Sequence, residues 1–188
     1  MTDPLVTAGS FADAGNGTLL QVLAVGGMTS NPVSGTLTHA SGTTAYAAND
    51  LVASHGTAGS VSVPTVSIMR VDGGSGSIPK LLLRSNHTTG LSAISVAVRL
   101  WSAAPTYTNG DNGAYAVATG AASFLGKFTG TFEQFGDGAV AELEPSVGSL
   151  SSLKLASGQL VYWDLQATTA FTPQAAKTFT LIPQVLQD

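Results

Sequence analysis

Three histidines are the first candidates for metal binding or acid–base chemistry. His39, His55 and His87 lie far apart along the chain. Metal-binding pairs usually have short spacings such as H-x-H or H-E-x-x-H, which bring two imidazoles to one face of a strand or helix. A cupin-type enzyme would also need histidine and glutamate clustered on adjoining strands. The spacing therefore predicts that each histidine is a loop or surface residue and that the chain has no metal-binding residues.

Paired carboxylates are the second candidate chemistry. Glu142 and Glu144 are two residues apart, so on a strand they would share a face, and with Glu133 they imitate the carboxylate pair of a glycosidase. Glycosidase pairs, however, face each other across a cleft lined with aromatic subsites, and only Trp101 and Trp163 are available for that purpose. We therefore expect a solvated edge face here and no enzyme.

Two stretches are rich in side-chain oxygen atoms, as calcium-binding loops are. They are Asp111-Asn112-Gly113 and Asp137-Gly138, but the D-x-[DN]-x-[DN]-G loop pattern is absent. Ordinary turns explain both, because Asn, Asp and Gly tolerate positive φ. The nucleophile elbow G-x-S-x-G and the glycine-rich nucleotide-binding patterns are also missing. The sequence predicts no catalytic residue, no cofactor and no metal.

Aromatic residues offer a fourth possibility, a face that stacks on sugar rings. The candidates are Trp101, Tyr107, Tyr115, Tyr162 and Trp163. Core packing is the commoner fate of aromatic side chains in a sandwich fold. Trp101 is opposite in phase to the apolar face that precedes it, so it points outward or into a second layer.

The composition limits the classes of partner that we expect this chain to bind. Charged residues make up 10% of the 188 residues, against about 25% in an ordinary domain, and none occurs between Asp13 and Asp50. The seven cations are scattered, so no basic stripe can follow a phosphate row; we expect neither nucleic acid nor a membrane surface as a direct partner. The chain has no cysteine and its N-terminus lacks a positive signal region, which favours synthesis in a cytoplasm.

Apolar alternation with a period of two predicts the elements that position these residues. It is clearest in Ile94–Leu100, and it recurs in Phe124–Phe132 and Val161–Leu165. Twenty-two glycines and eight prolines disfavour long helices. Strands of this length, separated by frequent turns, indicate an all-β fold: an antiparallel β-sandwich, with a jelly roll preferred.

Turn residues and composition also predict the connections. Asp72–Gly76 is expected to be the loop of a hairpin between strands near 63–71 and 78–85, and Asn109–Gly113 and Gly136–Gly138 are expected to link strands in the same way. Ala114–Ser123 is expected to form a short helix or an irregular crossover. Residues 1–17 lack a clear period and are expected to form an extended, flexible N-terminal arm, with residues 18–188 as a single domain.

Several short strings resemble small virion proteins of tailed bacteriophages. They are TAYAANDLV at 44–52, AVRLWSAAP at 97–105 followed by a loop with Asp111 and Asn112, FLGKF at 124–128, and the strand at 160–165. A predicted hairpin around Gly73–Gly76 leading into Leu81–Arg84 adds to the set. The resemblance covers roughly residues 40–185.

The resemblance implies a capsid decoration, or cement, protein with a jelly-roll or β-sandwich fold. Such a protein would bind the major capsid protein on the outer head surface, assemble with itself as a homotrimer, and stabilise the shell without catalysing a reaction. The family supplies no catalytic residues. The alternative is a glycan- or receptor-binding jelly-roll module of a phage tail fibre or baseplate, which requires an exposed cluster formed by Trp101, Tyr107, Tyr115 and Trp163.

Overall fold

The chain is almost entirely β-structure. A computed structural model describes residues 34–40, 42–68, 75–146 and 160–186, together with the backbone of three short strands and of Gln187. The strands are β1 (Phe11–Asp13), β2 (Leu19–Gln21), β3 (Gly35–Thr38), β4 (Leu51–Val52), β5 (Thr65–Ser67), β6 (Ser75–Ser85), β7 (Ser95–Trp101), β8 (Thr106–Tyr107), β9 (Val117–Thr119), β10 (Phe124–Phe135), β11 (Gly138–Pro145), β12 (Ser152–Lys154), β13 (Leu160–Ala167) and β14 (Thr178–Gln187). Two short 3-10 helices, Ala58–Ser60 and Ala121–Ser123, complete the described elements.

The strand pairing is that of a jelly roll. The pairs are nested, with β3 against β14, β4 and β5 against β13, β6 against β11, and β7 against β10, all antiparallel. Side by side, the strands run β3-β14-β6-β11 and then β10-β7-β13-β4, so two four-stranded layers are joined through the β10–β11 pair. The expected all-β antiparallel sandwich is confirmed, and its strand order is that of the jelly roll.

The two layers enclose one main hydrophobic core. Its centre consists of residues that are almost completely buried, among them Leu81, Leu83, Leu143, Trp163 and Leu181. The layers also approach at their open edge, where Gly35 on β3 lies so close to the carbonyl oxygen of Thr65 and the indole of Trp163 that a Cβ atom has no room. The sandwich is therefore curled almost into a barrel.

The apolar alternation in the sequence correctly predicts which faces of β7 and β13 point into the core. Val96, Val98 and Leu100 on β7 face the main core, as do Val161 and its alternating neighbours on β13. On β10 the expected face is interrupted, because the register shifts between Phe124 and Gly126. This irregularity turns Phe124 to the outer side, where it is 45% exposed, while Phe128 stays buried. A bulge changes the side-chain phase by one residue, which alternation alone does not reveal.

One predicted hairpin is wrong. The strand β5 pairs with β13, whereas β6 pairs with β11, β12 and β14, so the connection between β5 and β6 crosses from one layer to the other. Its loop, 69–74, lies outside the described residues. The hairpin at Gly136–Gly138 is confirmed by the pairing of Phe135 with Gly138, and Asn109–Gly113 does lie between the paired strands β8 and β9. The stretch Ala114–Ser123 is an irregular crossover that contains β9 and a 3-10 turn.

Most of the predicted N-terminal arm lies outside the described residues. Its strand β1 pairs with β2, which lies beyond residue 17, in a separate two-stranded sheet. The predicted boundary at residue 17 therefore falls between two paired strands. Among the residues whose structure is described, no helix is long and apolar enough to cross a membrane.

A glycine on β10 gives a sharp test of this packing. A Cβ atom at Gly130 would overlap the carbonyl oxygen of Glu142 on β11 and lie 2.8 Å from a Leu143 methyl carbon. We expect Gly130→Ala to lower the free energy of unfolding by about 1–3 kcal/mol, because backbone and side chain must both shift. Urea denaturation measures this loss. Gly136→Ala is the matched control, since nothing lies within 4 Å of its Cβ position; equal effects at the two glycines would contradict the described β10–β11 contact.

Candidate functional site

A buried carboxylate at the centre of β13 organises the most polar region of the interior. Asp164 is 3% exposed. Its Oδ2 accepts three hydrogen bonds, from the indole Nε1 of Trp101 at 2.9 Å, the hydroxyl of Tyr107 at 3.0 Å and the hydroxyl of Tyr115 at 2.7 Å. A buried carboxylate requires such donors, because an unpaired charge in the interior is costly. The three aromatic side chains are thereby fixed around one oxygen atom.

Arg99 supplies the opposite charge from the neighbouring strand. It pairs with Asp164 in the register of β7 and β13, and its Nη1 lies 3.7 Å from Asp164 Oδ1. Its Nη2 donates a 2.7 Å hydrogen bond to Oε1 of Gln166. The guanidinium carbon also lies 3.9 Å from the centre of the Tyr115 ring, a cation–π distance. Arg99 therefore links the carboxylate to the aromatic layer outside the sheet.

The electrostatics of this cluster favour positioning over proton transfer. Burial raises the pKa of Asp164, and the Arg99 charge followed by the hydroxyl and indole donors opposes that rise. Burial also raises the pKa of Tyr107 and Tyr115, and the Asp164 charge adds to it, so both hydroxyls stay protonated donors at neutral pH. Asp164 Oδ1 is also buried, so this carboxylate oxygen is not in contact with solvent. The cluster holds Trp101 and Tyr115 in place.

A pocket of about 420 Å³ opens above this cluster. Its lining is formed by Arg99, Trp101, Tyr115, Val117, Ala118, Thr119, Gly120, Ala121 and Phe124. Phe124 packs edge-on against Trp101, with ring centres 5.3 Å apart, and forms an exposed lip. Gly120 has a backbone φ of +139 in the pocket wall, and a Cβ atom at this position would lie 2.9 Å from Pro105 Cβ. The volume lies in the range of small-ligand sites.

The histidines lie in loops, but two of them are not at the surface. His87 is fully buried and His39 nearly so, with near-parallel rings 5.8 Å apart, whereas His55 is exposed. Phe179 packs against both buried rings. The surface part of the prediction is therefore wrong for His39 and His87, because loop position does not determine burial at the closed end of a sandwich. No group of three or more metal-binding side chains occurs among the described residues.

Hydrogen bonds fix the orientation of both rings. Ser85 Oγ donates to the carbonyl oxygen of Thr178 at 2.9 Å, so it accepts from His87 Nδ1 at 2.6 Å. His39 Nε2 donates to the carbonyl oxygen of Gln174 at 2.7 Å. His87 Nε2 and His39 Nδ1 are buried without a hydrogen-bond partner in the described chain. Burial lowers the pKa of His87 to about 4, aided by the His39 and Lys177 charges, so the ring is neutral at pH 7.

The three glutamates lie on two neighbouring strands and point to solvent. Glu142, Glu144 and Glu133 are exposed on the outer face of β10 and β11, as a solvated face predicts. These strands lie in the middle of the strand order, so the expected position at an edge is wrong. Glu142 Oε2 accepts a 2.7 Å hydrogen bond from Lys80 Nζ on the neighbouring strand.

The loop with the calcium-like composition is explained by internal hydrogen bonds. Asp111 Oδ1 accepts from the hydroxyl of Tyr46 and from the backbone N–H of Ala53, both at 2.7 Å. Asn112 has φ +60, the left-handed conformation expected of a turn asparagine. Asp111 therefore ties two loops together.

The aromatic residues divide between core and pocket. Trp101, Tyr107 and Trp163 are buried, and Tyr115 and Tyr162 are partly exposed. Trp101 points into a second layer outside β7, one of the two orientations expected. The exposed four-ring cluster that glycan binding requires is not formed.

Sequence reasoning missed the two residues at the centre of the site, Asp164 and Arg99. The available signal was a charged residue inside each of two apolar strand patterns, at 161–165 and 94–101. Comparison of the sequence with protein-family models and with curated proteins finds no match.

Proposed function

We propose that this chain is a non-enzymatic virion structural protein, a phage decoration (cement) protein that binds the outer head surface as a trimer. The observation that carries the proposal is the hydroxyl-rich outer surface of the jelly roll. Paired hydroxyls lie across neighbouring strands at Thr36 and Thr180, Ser95 and Thr131, and Thr106 and Thr119, with Oγ–Oγ distances of 3.5, 2.9 and 2.6 Å.

Such a surface suits a protein that packs against neighbours. Burying a hydroxyl costs far less than burying an ion, and a hydroxyl can donate or accept when a partner arrives. Interface cores are depleted of charged residues in the same way. Several weak contacts in each trimer would add by avidity, so no single strong site is needed.

The strings that resemble phage virion proteins support the same proposal. They include β7, the start of β10 and most of β13, together with the segment that contains Tyr46 and Leu51. All four contribute buried residues, so the resemblance extends to the framework of the jelly roll. The major capsid protein and two further copies of this chain are the proposed partners, the outer head surface is the proposed location, and neither nucleic acid nor a membrane takes part.

Oligomeric state and head binding test the proposal together. We expect purified protein to be a trimer by light scattering and to sediment saturably with mature, expanded heads but not with free major capsid protein. A monomer that ignores expanded heads would overturn the proposal.

A further inference from the structure

The pocket above the Asp164 cluster adjoins a strand with one free edge. β9 pairs only with β8, in a sheet of two strands, so no described strand lies beside its other edge. All three residues of β9 line the pocket. A free edge offers backbone N–H and C=O groups to an incoming strand, and an adjacent pocket can take one of its side chains.

The pocket walls favour an apolar side chain. Most of the lining is apolar, with the rings of Trp101 and Phe124 beside Val117 and two alanines. The volume of about 420 Å³ accommodates a large side chain with room for its backbone. Since Asp164 holds Trp101 and Tyr115 by hydrogen bonds, the floor is formed before anything binds, which lowers the entropic cost of binding.

Charge compensation argues for an uncharged occupant. Arg99 is the only ionisable cation or acid in the lining, and its partner Asp164 lies 3.7 Å below it. Its Nη1 is buried beside Asp164 Oδ1 and its Nη2 donates to Gln166, so both terminal nitrogens already face acceptors within the protein. The exposed lip, Phe124, adds apolar surface at the mouth.

We propose that β9 and this pocket form a peptide-binding site, in which an extended segment of a partner protein pairs with β9 and inserts one aromatic or large aliphatic side chain beside Trp101 and Phe124. The inference deepens the proposed function and rests on it only for the source of the peptide, the capsid shell. The site itself rests on the strand edge, the pocket and the fixed floor.

The test is amide chemical-shift mapping by NMR on the full chain, with two blocked heptapeptides as probes. One has phenylalanine at the centre of six threonines, and the other has aspartate there. We expect saturable shifts at Val117–Ala121 and Phe124 with the phenylalanine peptide, and binding at least about tenfold weaker with the aspartate peptide. Ala118→Glu should weaken binding of the phenylalanine peptide by a similar factor, at least about tenfold. Ala122→Glu is the matched control, since it adds the same charge at an exposed alanine outside the lining and should bind as wild type.

Other results overturn the inference. Shifts confined to the hairpin around Phe135, equal binding of both peptides, or no binding would each exclude the site. Shifts of the pocket amides with glucose or N-acetylglucosamine, without peptide binding, would assign the pocket to sugars instead. If wild-type protein and Ala118→Glu bind heads equally, the proposed function stands and the pocket is not the contact. If heads do not bind but the phenylalanine peptide does, the site stands and the capsid is not its source.

Discussion

Replacing Asp164 by alanine is expected to lower the free energy of unfolding by about 3–5 kcal/mol. The substitution leaves Arg99 without its counter-ion and removes the acceptor shared by Trp101, Tyr107 and Tyr115. Each buried donor left unsatisfied costs about 1–3 kcal/mol before the structure relaxes. Urea denaturation followed by tryptophan fluorescence measures the loss directly, because Trp101 reports on the same cluster.

Two further variants make this prediction specific. Glu142→Ala removes an exposed carboxylate that also has a cationic partner, and we expect a change below about 1 kcal/mol. Tyr115→Phe removes one of the three donors to Asp164 and should cost about 1–3 kcal/mol. If Asp164→Ala does not fold, the Tyr115 variant still tests the cluster. A loss at Asp164 no larger than that at Glu142 would contradict its role in fixing the pocket floor.

Acidification is expected to destabilise the protein through His87. Its pKa is lowered to about 4 in the folded chain, against about 6.5 when unfolded. Between these values the unfolded chain binds the proton and the folded chain does not, so stability is complete above about pH 6.5 and falls as the pH drops to about 4. The expected loss from this residue is about 3 kcal/mol over that window.

Urea titrations at pH 7 and pH 4.5 in wild type and His87→Phe check this pH dependence. The phenylalanine variant keeps an aromatic ring beside Phe179 but cannot take up a proton, so its stability should fall less between the two pH values. His55→Gln is the control, because His55 is exposed, and it should follow wild type. An unchanged pH dependence in His87→Phe would assign the acid sensitivity to other groups.

The fold could be predicted from sequence because its signals are local. Alternation in β7 and β13 identifies buried faces within seven or eight residues, and Gly136-Asp137 identifies a tight hairpin. The connection after β5 is not the hairpin that its turn residues predict, since glycine-rich turns look alike whether a chain returns to its neighbour or crosses to the opposite layer. The phase change at Phe124 depends on an extra residue in one strand of a pair, which only the partner strand reveals.

The site could not be predicted because its contacts are distant in sequence. Asp164 lies 49 to 63 residues from the aromatic side chains that donate to it. Its position inside an apolar strand reads as an outward polar residue until the layer formed by β8 and β9 covers it. The burial of His87 likewise depends on Phe179, which lies more than ninety residues away and reaches it only in the folded sheet.

Cryo-electron microscopy of the virion that carries this protein tests the proposed function most directly. We expect density for the jelly roll on the outer surface of the head, in groups of three at local threefold positions between capsomers. Density for the same fold on a tail fibre or baseplate, with a bare head surface, would contradict it.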